Sequence, residues 1–161
     1  RKPFQDSPTP AGNSVAAIAL IRMHAATDEP RYRQLAQKTL EAFAAVAPQY
    51  GLFAATYGLA AVLFERHPLQ VVVTGPAGDP AASALEDAAN SVYRFGKTVL
   101  RVTPGVSFEN FPSALREALP HLPADRPIAL VCAGQSCLPP TSKPEELRAL
   151  LESSAAGATS A

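Results

Sequence analysis

Leu69-Gln70-Val71-Val72-Val73-Thr74-Gly75-Pro76-Ala77-Gly78-Asp79-Pro80 is the stretch on which the reading of the fold turns. Upstream of Pro68 the apolar residues recur at helical spacings of three and four. Here they run consecutively, they are β-branched, and they stop at Gly75. A short apolar run bounded by turn residues reads as a strand buried on both faces. A helix is expected to follow at about 80–95, with Asp79 among carboxylates that read mostly as caps or solvated faces. A second strand follows at about 97–102, a short helix at about 112–119 and a third strand at about 127–132. The last helix opens at Ser142-Lys143-Pro144-Glu145, a capping-box pattern with Pro at the first position, and runs to about 152. Strand–helix alternation of this kind implies a small three-stranded parallel sheet with right-handed crossovers. Each connection is long enough to recross the sheet. Residues 153–161 are a small-residue tail expected to be disordered.

Working back from Leu69, three helices are expected. Pro3, Pro8, Pro10 and Gly12 keep the first dozen residues extended. Asn13 or Ser14 then offers a cap for a helix over about 15–26, in which Val15, Ile18, Leu20, Ile21 and Met23 cover most of the circumference. A helix apolar nearly all round is buried on several sides. Thr27-Asp28-Glu29-Pro30 stops and restarts the chain. The second helix, about 30–47, carries Tyr32, Leu35, Ala36, Leu40, Phe43, Val46 and Ala47 on one stripe and is amphipathic. After the break at Pro48-Gln49-Tyr50-Gly51, a third helix is expected over about 52–66. Its Gly58 lowers helix propensity but also permits close helix contact. Three such helices cannot bury themselves, so residues 1–66 read as an incomplete helical domain that does not fold alone, and residues 67–152 as a small α/β portion.

The chain has 161 residues, with Lys+Arg 14 balancing Asp+Glu 14. That neutrality excludes a field recruiting nucleic acid or an anionic membrane, and no apolar run of about twenty residues is present. It begins Arg1-Lys2-Pro3 without an initiator Met and reads as a soluble, cytoplasmic piece of something longer. The two cysteines cannot supply a four-ligand zinc site, and His24, His67 and His121 are scattered, so no metal and no cofactor is expected.

Gly75-Pro76-Ala77-Gly78 lies where a dinucleotide fold puts its phosphate loop, but the spacing is not G-x-G-x-x-G and Pro76 removes a backbone donor. It reads as an ordinary strand-to-helix turn, with anion binding as the competing possibility. Cys132 falls in the apolar run of the third strand and reads as a covered small hydrophobe. Cys137 follows a loop and precedes Pro139-Pro140, so it reads as a presented, reactive thiol. The loop between them could instead fold back and join the sulfurs; a reducing cytosol argues against that. No G-x-S-x-G elbow is present, and the carboxylates form no pair across a cleft.

The opening Lys2-Pro3-Phe4-Gln5-Asp6-Ser7-Pro8-Thr9-Pro10-Ala11-Gly12-Asn13-Ser14-Val15-Ala16-Ala17 and the later Val131-Cys132-Ala133-Gly134-Gln135-Ser136-Cys137-Leu138-Pro139-Pro140-Thr141, with Pro144-Glu145-Glu146-Leu147 after it, form two motifs in order. Together they resemble the C-terminal part of the spermatogenesis-associated, thioredoxin-domain-containing proteins. The resemblance spans about 1–152. It implies an α/α toroid of the six-hairpin glycosidase and sugar-epimerase kind, whose closing helices would be residues 13–66, followed by the small α/β portion. It also implies partners outside this chain: an N-terminal thioredoxin-like domain and the rest of the toroid. On that footing a small sugar or polyol is a possible ligand, with Asp6 as a candidate acid or base and Asn13 and Ser14 as candidate hydroxyl-holding residues beside their capping role. Cys137 is the candidate redox thiol. Three functions are open: a fragment of a carbohydrate-active enzyme, a non-catalytic redox-linked scaffold or client-binding protein, and a nucleotide-binding α/β module with an anion at Gly75–Gly78.

Overall fold

A computed structural model describes residues 4–66, 68–123 and 126–156. The chain divides between Pro68 and Leu69 into two compact units. The first is helical, with α1 (Gly12–Thr27), α2 (Pro30–Ala44), 3-10 turns over Ala47–Ala54 and α3 (Ala55–Glu65). The second holds β1 (Leu69–Thr74), α4 (Pro80–Ser91), β2 (Thr98–Val102), α5 (Ser113–Ala118), a 3-10 turn at Leu119–His121, β3 (Ile128–Ala133), β4 (Ser136–Cys137) and α6 (Pro144–Ala156).

In the helical unit the close approaches are made by alanine. Ala17, Ala36 and Ala60 are fully buried, and with Ile21, Leu40 and Leu63 they form the seams between α1, α2 and α3. Gly58, read as a possible contact point, is exposed, with open space where a Cβ would stand. The Arg33 guanidinium stacks 4.1 Å over the Phe64 ring and donates to the Phe64 carbonyl, a cation–π contact that ties α2 to α3. Two expectations need correction here. Neither Asn13 nor Ser14 caps α1; Ala11 takes the cap position without a side-chain bond, and both residues lie inside the helix. Nor is α1 covered on several sides. Ser14, Ala17 and Ile21 are buried, whereas Val15 and Met23 are each 45% exposed. The break at Thr27–Pro30 is as read: Asp28 turns left-handed at φ 55, and Glu29 with Pro30 opens α2.

The second unit is a mixed, not an all-parallel, sheet of order β2-β1-β3-β4. β1 and β2 are parallel, with Gln70 opposite Thr98 and Thr74 opposite Val102. β3 is antiparallel to β1, with Thr74 opposite Ile128 and Leu69 opposite Ala133. The difference lies in the connections. α4 has 12 residues and rises about 18 Å, close to the length of a strand, so it carries the chain back to the starting end. After β2 the loop, the 6-residue α5 and the 3-10 turn leave the chain at the same end of the sheet, so β3 begins beside Thr74 at the end of β1 and runs the other way.

Both sheet faces are covered, as the β-branched run implies. Val71, Val73, Ala129 and Val131 pack under α4 and α6 through Leu85, Ala88, Ala89, Leu147 and Leu151. Val72, Val102, Leu130 and Cys132 pack under Leu115 of α5 and Leu119 of the 3-10 turn that follows it. Burial of each such aliphatic side chain contributes roughly 1.5–3 kcal/mol. At α6, Pro144 does take the first position, but Ser142 is not the reciprocating cap. Thr141 Oγ1 accepts from the Lys143 N–H at 3.1 Å and donates to Glu146 Oε2 at 2.6 Å. The expected tail is shorter than read, because residues 153–156 continue α6; residues 157–161 lie outside the described residues.

Candidate functional sites

The segment before α1 is not helical, as its prolines dictate, but neither is it extended as expected: it bends at residues 5 and 7–9, with a cis Ser7–Pro8 bond, and it is firmly held. Phe4 is buried against Phe43, Tyr50 and Tyr57, with ring centroids 4.6, 5.3 and 5.4 Å away. Two residues on, the Asp6 N–H donates to the Phe53 carbonyl at 2.8 Å. The Asp6 carboxylate accepts from the Ala11 N–H with Oδ1 and from the Thr56 N–H with Oδ2, both at 2.7 Å. Ala11 caps α1 and Thr56 opens α3, so one carboxylate ties together the starts of two helices. The backbone donors, Thr56 first and then Ala11, hold its pKa below the ordinary carboxylate value. A carboxyl held ionised, with both oxygens engaged, is poorly suited to deliver a proton near neutral pH.

Asn13 is half-buried on the first turn of α1, and Ser14 is 2% exposed. The Ser14 Oγ has no hydrogen-bond partner among the described residues. Asp6, Asn13 and Ser14 therefore share the N-terminal end of α1, but Asp6 faces backbone amides and Ser14 faces the packed interior.

At the far edge of the sheet, Cys132 and Cys137 are opposite one another across the β3–β4 hairpin and are joined by a disulfide with a Cα–Cα distance of 4.0 Å. The expected free, reactive Cys137 thiol is thus corrected: both sulfurs are paired. Cys132 is covered, as read, and Cys137 is half-buried. The reason is the turn. Ala133 pairs with Ser136, leaving Gly134-Gln135 as a two-residue loop with Gly134 at φ 58. A glycine with positive φ at the first central position is the signature of the tight hairpin that matches strand twist. Gly134 is the residue in the sequence that marks this turn. The Gln135 side chain also meets Ser113 Oγ at 3.1 Å, which fastens the turn to the start of α5.

The Gly75–Gly78 turn does not present an open anion cradle. Asp79 Oδ1 accepts from the Ala81 and Ala82 N–H groups at 2.8 and 3.1 Å, so a carboxylate already occupies the first turn of α4. The Gly75 N–H donates to the Val102 carbonyl at 3.2 Å. Among the described residues no group of three or more His, Cys, Asp and Glu side chains is arranged to hold a metal ion, and no single helix is long and apolar enough to cross a membrane. Comparison of the chain with family models, curated proteins and solved structures finds no match.

Proposed function

We propose that this chain is a redox-linked, non-catalytic scaffold in which Cys132 and Cys137 form an exchangeable dithiol–disulfide couple serving a thioredoxin-like partner domain. The observation that carries the reading is the disulfide across an edge hairpin, with its outer cysteine half-exposed on the terminal strand. A partner thiolate attacks the Cys137 sulfur, the more accessible of the two, and forms a mixed disulfide. Cys132 leaves as a thiolate and takes a proton. The partner's second thiolate then displaces Cys137, so two electrons pass from the partner dithiol to this chain and the partner ends oxidised. In a reducing cytoplasm the couple cycles and is not a permanent staple.

The two sequence motifs, with their resemblance to the thioredoxin-domain-containing family, support placing α1–α3 among the closing helices of an α/α toroid. The exposed Val15, Met23, Leu59 and Val62 on α1 and α3 suit such a position. The commitment of both Asp6 oxygens to backbone amides favours the scaffold over a sugar-cleaving enzyme that would use Asp6 as its acid.

The test is a redox titration of the whole chain, with mass-resolved alkylation of both cysteines, followed by trapping with a thioredoxin that lacks its resolving cysteine. Exchangeable pairs titrate above about −300 mV, and the trapped adduct should map to Cys137. A pair that resists thioredoxin and stays oxidised below that potential would make the bond a structural staple and end the redox reading.

A further inference from the structure

We propose that the crevice at the carboxyl ends of β1 and β2 binds a small amphiphilic carboxylate, its apolar body inside and its charged group on Arg126. After Thr74 the chain turns toward α4 on the Val71 face; after Val102 it turns toward α5 on the Val72 face. Connections that leave neighbouring parallel strands toward opposite faces open a crevice beyond the strand ends, which is where open α/β sheets place their ligands.

A cavity of about 250 Å³ lies there. Val102, Phe108, Leu119 and Leu122 supply apolar walls and Thr103 a hydroxyl. Its size is just below the roughly 300–1,000 Å³ of pockets for drug-sized ligands, which suits a medium-length alkyl chain or a single ring.

The polar groups select the charge. The Thr74 hydroxyl donates to the Ile128 carbonyl at 3.3 Å, and the Gly75 N–H is spent on Val102, so the strand ends offer no amide cradle for a phosphate. Arg126 is the one charged residue among the described residues lining the cavity; it is exposed, and it makes no ion pair among them. A guanidinium at the mouth of an apolar cavity matches a planar carboxylate, which it binds through two parallel hydrogen bonds. The site is at the opposite end of β3 from Cys132 and does not depend on the redox reading.

The experiment is a titration of the ¹⁵N-labelled whole chain with octanoate, followed by amide chemical shifts, with octanol and octylammonium as comparison ligands. Octanoate should shift the Thr103, Gly105 and Leu122 amides saturably. Arg126→Gln, at an exposed position that does not endanger folding, should weaken octanoate about fivefold and leave octanol unchanged. Absence of saturation, shifts confined to other surfaces, octylammonium binding as well as octanoate, or unaltered octanoate affinity in Arg126→Gln would each overturn the proposal.

Discussion

Replacing Asp6 by Ala removes two acceptors at once and leaves the Ala11 and Thr56 N–H groups without their partner. A hydrogen bond to a charged group contributes about 1.5–3 kcal/mol. Asp6 is half-buried, so water recovers part of each bond, and the lower end of that range applies twice, for a loss of about 3 kcal/mol. Asp6→Asn keeps one acceptor oxygen but turns an NH₂ toward the other amide, for a loss of about 2 kcal/mol. The folded carboxyl has a depressed pKa. Its contribution is therefore complete above the unfolded value of about 3.9 and disappears as pH falls through the lower folded value. Urea unfolding of the whole chain should show the wild-type advantage over Asp6→Ala at neutral pH and its steady erosion below about pH 4. Native-state amide exchange locates the effect: Ala11 and Thr56 should lose protection in the variant. Equal stability of wild type and Asp6→Ala, or a difference independent of pH, would refute the assignment of Asp6 as the tie between α1 and α3.

Ser14→Ala should be neutral or stabilising by up to about 1 kcal/mol in the same unfolding assay, because it removes a buried hydroxyl without a partner; a marked loss would show that Oγ has one. Reducing the Cys132–Cys137 bond opens a short loop and should lower stability by about 2 kcal/mol without abolishing the fold, measured by urea unfolding with and without dithiothreitol. Gly75→Ala should destabilise by roughly 1–3 kcal/mol, since φ is 142 and a Cβ would stand 3.2 Å from Ala82 and Pro127 side-chain carbons. Leu85→Ala, fully buried under the sheet, should cost about 2–5 kcal/mol, whereas Leu52→Ser, at 90% exposure, should change the midpoint little.

Local chemistry determined much of this protein in advance. The amphipathic character of α2, the consecutive valines of β1 and the first-turn place of Pro30 are written within a few residues of where they act, so the sequence identifies them unaided, although Leu35 and Val46 of the expected stripe are exposed. What only the tertiary structure decided depends on partners far apart in the chain. The continuous apolar run of β3 has no alternation to encode direction. Its antiparallel course follows from the point at which the chain re-enters the sheet, with Ile128 beside Thr74 at the end of β1. Asp6 meets Thr56 fifty positions away, a pairing that no spacing rule reveals, and the contact makes a carboxylate read as a possible acid into a tie between helices. Cys132 and Cys137 stand between these cases. Their separation is local and Gly134 signals the turn, but the bond exists because antiparallel pairing places the two residues directly opposite, at a distance two sulfurs can span.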